Sequence, residues 1–214
     1  ARGVIMGKTH TVEFAYGGVG TNSHWGAPVN PWDADNHRVT GGSSSGAGVS
    51  LCQGSALVAM GTDTGGSVRI PASVTGNVGL KTTIGRWSVE GIVPLSHTFD
   101  TPGPLTRNVT DSVLAFGAID PAYSDAEALF QSVDGAAVGD INFALCDEHF
   151  WAECSPGIAE GVRDAIAELD RSQAMRAAFG DDVIDHYLHS ARWEQAESDR
   201  HVTDFERRRL FERG

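Results

Sequence analysis

The sequence is poor in cysteine and lysine and contains no long apolar run. Its 214 residues include three cysteines, Cys52, Cys146 and Cys154, which are too few and too scattered for a disulfide framework. We therefore expect a reducing, cytoplasmic setting. No apolar segment approaches the length of a membrane span and no secretory leader is visible, so we expect no membrane association. The net charge of −12 argues against direct binding of nucleic acid, which needs a basic face.

Glycine and charge are distributed unevenly along the chain. Residues 1–107 hold 19 of the 26 glycines and are nearly neutral, whereas residues 108–214 carry a net charge of −13. Glycine is favoured where the backbone needs a positive φ or a close approach. We therefore expect the chemistry in the first part, and a solvated, helix-rich surface in the acidic second part.

Short apolar runs and amphipathic segments alternate along the chain and predict an α/β fold with a mostly parallel or mixed sheet. Helices are predicted where capping residues precede periodic or small apolar residues, at Ser43–Gln53, Asn108–Ile119 and Ser155–Leu169. Strands are predicted at apolar runs, at Val4–Met6, Ala56–Gly61, Gly76–Leu80 and Ile141–Cys146.

A glycine-rich turn after one of these apolar runs is a candidate catalytic loop. The backbone N–H groups of Thr64, Gly65 and Gly66 can converge there on one point, as a tetrahedral oxyanion requires, and Ser67 follows them. A tight turn with a capping serine explains the same pattern. A rival nucleophile, Ser44 in Gly-x-Ser-x-Gly, follows polar residues instead of the buried strand that a hydrolase elbow needs.

Seven motifs between Gly7 and Asn108 resemble the amidase signature family. They lie in the family's order and together cover about half of the chain. The motifs are Gly7-Lys8-Thr9, Glu13-Phe14, Asn30-Pro31-Trp32, Gly41-Gly42-Ser43-Ser44, the run from Gly61 to Ala72, the run from Gly79 to Arg86, and the run from Asp100 to Pro104. The resemblance implies a large mixed sheet flanked by helices. It assigns residues 1–120 to the signature core and 121–214 to the remainder of the same domain.

The resemblance also implies a catalytic triad of two serines and a lysine. By motif position Ser67 is the nucleophile, and Ser43, preceded by a cis peptide bond, relays its proton to the lysine. Thr64, Gly65 and Gly66 match the oxyanion-hole positions. The implied reaction is hydrolysis of a small-molecule amide through an acyl-serine, with no metal or organic cofactor.

The implied lysine matches neither of the two lysines in the chain. Lys8 lies in a segment that follows the family's catalytic-lysine motif, and Lys81 matches a structural position after the nucleophile. We therefore expect an incomplete member whose lysine lies upstream of Ala1. Three alternatives stay open: the A subunit of a glutamine-dependent amidotransferase, a truncated non-catalytic homologue, and an α/β-hydrolase that uses Ser44. A homodimer or a partner subunit is compatible with the first of these.

Two further residues are candidates for substrate binding. Arg69 lies two residues after Ser67, and its guanidinium can bind a substrate carboxylate, although an ion pair with Asp63 is the favoured interpretation. Ser44, next to the relay serine, is the second candidate. We expect Asp63 to hold the loop through backbone N–H groups.

Overall fold

A computed structural model of the protein describes residues 3–33, 35–134 and 153–171. The chain forms two compact units, Ala1–Asp134 and Gly135–Gly214. Within the described residues, the elements follow a one-turn 3₁₀ helix at Glu13–Ala15. They are α1 (Ser45–Cys52), β1 (Val58–Asp63), α2 (Arg69–Thr75), β2 (Val78–Gly79), β3 (Thr101–Thr106), α3 (Val109–Ile119), α4 (Ala126–Asp134) and α5 (Pro156–Arg171).

The three described strands form one sheet in the order β1-β3-β2. Both pairs are antiparallel, with Asp63 opposite Thr101 and Val58 opposite Thr106 in the longer pair. The α/β prediction is confirmed, and the pairs that the structure describes are antiparallel rather than parallel. β3 is central and fully buried although it contains Pro102 and Pro104, which is why composition did not predict it.

The predicted helices agree with the structure where local capping chemistry is strong. The side chain of Asn108 accepts a hydrogen bond from the backbone N–H of Asp111 and begins α3. α1 and α5 also form where they were predicted. The segment Val4–Met6, predicted to end a strand, lies outside any strand and is exposed. The predicted strand Ile141–Cys146 lies outside the described residues.

A small apolar core joins α1, β1, α2 and β3. Its buried members are Ala47, Leu51, Ala59, Val68, Ala72 and Leu105. Three of the six are alanines, whose small side chains allow the helices to pack closely on the sheet. The core therefore fixes the two loops that leave it, one before α1 and one between β1 and α2.

A cluster around Asp120 closes the end of α3. Its buried carboxylate accepts hydrogen bonds from Arg86 Nε at 2.6 Å, from the terminal Nη2 of Arg86 at 2.9 Å and from Trp87 Nε1 at 2.9 Å. Trp87 in turn stacks on Phe116, with 5.4 Å between the ring centroids. These contacts connect the segment after β2 to α3.

None of the described helices combines the length and apolar character needed to cross a membrane. The division of the chain at residue 120 stays a prediction.

Candidate active site

The segments that contain the two serines contact each other just before the starts of α1 and α2. The backbone N–H of Ser44 donates to the carbonyl oxygen of Ser67 at 3.2 Å. Ser43 and Ser67 are both buried, at 1% and 9% exposure. The peptide bond between Gly42 and Ser43 is cis, as the resemblance implied. The segment that holds Ser43 and the loop that holds Ser67 are therefore in direct contact through Ser44, although the two serines lie 24 residues apart in the sequence.

The Ser43 segment is held from its other side by the residues before the 3₁₀ helix. The N–H of Val12 donates to the carbonyl of Ser43 at 3.0 Å, and the N–H of Gly46 donates to the carbonyl of His10 at 2.8 Å. A side chain on Gly46 would collide with the backbone N of His10. Glycine at position 46 thus permits the close approach that these hydrogen bonds require.

The hydroxyl of Ser44 is engaged with strand β1. Its Oγ accepts from the N–H of Thr62 at 3.2 Å and donates to the carbonyl of Thr62 at 3.3 Å. This contact anchors the start of α1 to the sheet. The prediction that Ser44 binds substrate stays a prediction, and the geometry gives its hydroxyl a structural contact.

Asp63 organises the loop between β1 and α2. Its buried carboxylate accepts hydrogen bonds from the backbone N–H groups of Gly66 at 2.8 Å, Val68 at 3.1 Å and Arg69 at 3.3 Å. The role expected for Asp63 is therefore seen. Burial raises the pKa of this carboxyl, but the hydrogen bonds from Arg69, Val68 and Gly66 outweigh burial, and the pKa lies below its ordinary value.

The side chain of Arg69 pairs with Asp63 in a two-pronged contact. Its Nε and Nη2 donate to the two carboxylate oxygens at 3.0 and 2.9 Å. The favoured interpretation of Arg69 as an ion-pair partner is therefore present in the structure. About half of the Arg69 side chain, 54%, stays exposed, and binding of a substrate carboxylate by Arg69 stays a prediction.

The three predicted oxyanion donors differ in their hydrogen bonding. The N–H of Gly66, whose φ is +129°, donates to Asp63. The N–H groups of Thr64 and Gly65 donate to no acceptor among the described residues. Gly65 is exposed and Thr64 is half-buried. Two backbone donors next to Ser67 are thus available to a ligand, while the third holds the loop in shape.

A second carboxylate, which sequence reasoning did not single out, contacts this loop. Asp100 accepts a hydrogen bond from Thr64 Oγ1 at 2.5 Å, and also from the N–H groups of Leu95 at 2.8 Å and Ser96 at 3.1 Å. Burial raises the pKa of Asp100, but these hydrogen bonds outweigh it and lower the pKa overall. The only sequence signal was its position at the start of the motif from Asp100 to Pro104.

The two lysines and His10 do not contact the proposed catalytic serines through the bonds that the structure describes. Lys81 Nζ donates to the carbonyl of Thr82 at 2.9 Å, and Lys8 is exposed. His10 Nδ1 lies 2.7 Å from Ser45 Oγ, and its Nε2 lies 3.1 Å from the carbonyl of Gly26. Within the residues that the structure describes, no lysine or histidine hydrogen-bonds to Ser43 or Ser67.

No cluster of three or more His, Cys, Asp or Glu side chains suited to a metal ion occurs in the described part of the chain.

Comparison with known proteins places this site in a family. The family model Amidase matches residues 1–200. The chain belongs to the amidase family. A 2-amino-5-chloromuconic acid deaminase of Comamonas testosteroni is 55% identical over 178 residues, which are 83% of this chain and 37% of that protein. The A subunit of a glutamyl-tRNA(Gln) amidotransferase of Moorella thermoacetica is 41% identical over 182 residues. The match covers 82% of this chain and 37% of that subunit.

A solved structure supports the same family fold. A crystal structure of an amidase superposes with a TM-score of 0.58 at 31% identity, and the match covers 78% of this amidase chain and 36% of the solved one. The chain spans somewhat more than a third of the length of these relatives.

Proposed function

We propose that this amidase chain supplies the nucleophile and the proton relay of an enzyme that hydrolyses a carboxylic amide. The observation that supports the proposal is the hydrogen bond from the N–H of Ser44, the residue after the buried Ser43, to the carbonyl of Ser67. The open N–H groups of Thr64 and Gly65 support it, because a tetrahedral intermediate needs donors of this kind.

The proposed reaction has two halves. Ser67 Oγ attacks the amide carbonyl carbon, and its proton passes through Ser43 to a lysine outside this chain. Thr64 and Gly65 N–H groups stabilise the oxyanion, since the Gly66 N–H is held by Asp63. The C–N bond then breaks as the relayed proton reaches the nitrogen, which leaves as ammonia or an amine. Water attacks the acyl-serine, and the carboxylic acid and free Ser67 are released.

We base the proposed substrate class on the relative that is 55% identical. Its name describes removal of ammonia from 2-amino-5-chloromuconic acid, a small unsaturated dicarboxylic acid. We propose a small amide that also bears a carboxylate as the substrate, because the acyl-serine pathway needs an amide carbonyl. The half-exposed Arg69 is the residue proposed to attract its carboxylate, and Ser44 is the second residue proposed to bind substrate.

A second candidate is the A subunit of an amidotransferase. The 41% identity to that of the Moorella thermoacetica glutamyl-tRNA(Gln) amidotransferase favours it. The same serines would then release ammonia from glutamine for a partner subunit, and the setting would be the cytoplasm. The two candidates differ in one measurable property, because a free-standing amidase releases ammonia without transfer RNA or a partner.

Intact-mass spectrometry of the purified natural protein after treatment with a fluorophosphonate tests the proposal. We expect one adduct and ammonia release from a small amide, both lost in Ser67→Ala. Ser50→Ala is the matched control, because Ser50 lies on α1 and its hydroxyl only bonds the carbonyl of Ala47. Absence of both adduct and ammonia release would instead identify a non-catalytic homologue. Ammonia release from glutamine only with transfer RNA and a partner would favour the amidotransferase.

A further inference from the structure

The loop between β1 and α2 is fixed by two carboxylates that act at different points. Asp63 binds the later half of the loop, at Gly66 and at residues 68–69. Asp100 binds the earlier half, through the hydroxyl of Thr64 at 2.5 Å. The two N–H groups without a described acceptor, those of Thr64 and Gly65, lie between these anchors.

Asp100 is itself held firmly. Its Oδ2 accepts from the N–H of Leu95 at 2.8 Å, and both carboxylate oxygens lie 3.1 Å from the N–H of Ser96. Its own N–H donates to the carbonyl of Ser96 at 3.1 Å. Asp100 directly precedes β3, whose first residue, Thr101, is paired with Asp63 in the sheet. The carboxylate therefore has a fixed position relative to the start of the loop.

We propose that Asp100 is a positioning residue for the oxyanion donors and acts through the hydroxyl of Thr64. The charge-assisted hydrogen bond fixes the side chain of Thr64 and with it the direction of the Thr64 and Gly65 N–H groups. Donors aimed in advance at the developing oxyanion stabilise the transition state more than the bound substrate. This inference rests on the proposed amide hydrolysis at Ser67.

The position of Asp100 argues against a direct catalytic role. Its oxygens are occupied by Thr64, Leu95 and Ser96. The hydrogen bonds that lower its pKa favour the ionised carboxylate, which accepts hydrogen bonds and is a weaker base than an ordinary carboxylate. Its influence on the reaction therefore passes through Thr64.

A double-mutant cycle on the natural protein tests this coupling. Thr64→Val removes the hydroxyl and keeps the branched shape, and Thr64→Ser keeps the hydroxyl. We expect Thr64→Val and Asp100→Asn each to lower kcat about 10- to 100-fold, the range for small misplacements in an active site, with KM changed less than twofold. Thr64→Ser should lower kcat less than Thr64→Val does, because the hydroxyl that bonds Asp100 is kept. The double variant should be no slower than the slower single variant, because both changes act on one hydrogen bond: Thr64→Val removes its donor and Asp100→Asn removes the charge of its acceptor.

A loop variant separates this role from a general structural one. Ser96→Ala removes the hydroxyl that accepts from the N–H of Phe99 at 3.3 Å, and it leaves the bond between Asp100 and Thr64 in place. We expect it to keep the natural kcat. Additive losses in the double variant, a KM effect instead of a kcat effect, or an equal loss in Ser96→Ala would each overturn the inference.

Ser67→Ala, measured in parallel, keeps the two proposals distinguishable. If Ser67→Ala retains activity, the proposed function fails. If Ser67→Ala is inactive while Thr64→Val and Asp100→Asn keep the natural kcat, only the role of Asp100 fails.

Discussion

The backbone N–H of Ser44 donates a hydrogen bond to the carbonyl oxygen of Ser67 at 3.2 Å. This single contact joins the segment before α1 to the loop before α2. Both segments are attached to helices that pack in the same apolar core. A displacement of either segment therefore changes the distance between the proposed relay and the proposed nucleophile. The geometry of the site therefore depends on residues that do no chemistry.

Gly46 is the first such residue. A methyl group there would collide with the backbone N of His10, whose carbonyl accepts the Gly46 N–H at 2.8 Å. We expect Gly46→Ala to destabilise the fold, because overpacking costs about 1–3 kcal/mol. The gain of about 1 kcal/mol in helix propensity offsets only part of this cost. Urea denaturation gives the measurement, and Gly7→Ala, where no atom lies within 4 Å, is the control. An unchanged midpoint for Gly46→Ala would contradict the prediction.

Asp63→Asn should loosen the loop that carries Ser67. The natural carboxylate accepts five hydrogen bonds, from Arg69 and from three backbone N–H groups. Hydrogen bonds to a charged group contribute about 1.5–3 kcal/mol, so we expect a loss of that order in the free energy of unfolding at pH 7. Asp111→Asn, at a half-buried residue near the start of α3 whose carboxylate accepts a hydrogen bond from Asn108, is the control in the same denaturation series.

The contribution of Asp63 should also depend on pH. Its pKa in the folded protein lies below the ordinary value of 3.8, so the unfolded chain binds more protons in acid. The stabilisation is complete above pH 3.8 and disappears as the pH falls through the folded pKa. In urea titrations at pH 7, 5, 4 and 3, the difference between the natural protein and Asp63→Asn should shrink only below pH 4. A difference that grows in acid would show the opposite linkage.

Arg86→Lys should destabilise the cluster around Asp120. A lysine cannot reproduce the two parallel hydrogen bonds that Arg86 donates to this buried carboxylate. Arg38→Lys is the matched control, since Arg38 bonds Asp33 through Nε and its side chain is 64% exposed. We expect a clear fall in the melting temperature for Arg86→Lys and almost none for Arg38→Lys. Equal shifts of the melting temperature in the two variants would show that burial of Asp120 does not strengthen its ion pair with Arg86.

The sequence predicts the helices whose start is determined by capping residues close to them in the chain. Asn108 caps α3 through its own side chain, and Ser155 with Pro156 predicts the start of α5. β3 was missed because its prolines argue against a central strand when only composition is considered. Its place follows from pairing with two other strands, which no single segment encodes.

The site was predictable to a different degree. Motif order predicts Ser43 and Ser67 as catalytic partners and the loop residues as donors, and both assignments stay predictions. Neither could show that the Gly66 N–H is taken by Asp63, because that depends on a backbone φ of +129°. The contact between Asp100 and Thr64 could not be predicted either, because it joins residues that lie 36 positions apart in the sequence.

Ser43→Ala should inactivate the enzyme almost as completely as Ser67→Ala. If Ser43 relays the proton of Ser67, the two act as one unit, and each single change should lower kcat by roughly 10⁴-fold or more. The double variant should then be no slower than Ser67→Ala. Ser50→Ala, on α1 and away from the contact between Ser44 and Ser67, should keep the natural rate. Single-turnover kinetics with an activated amide give the reaction rates of these four variants and of the natural protein. Multiplicative losses in the double variant would show that the two serines contribute independently, which would contradict the relay even though both residues were required.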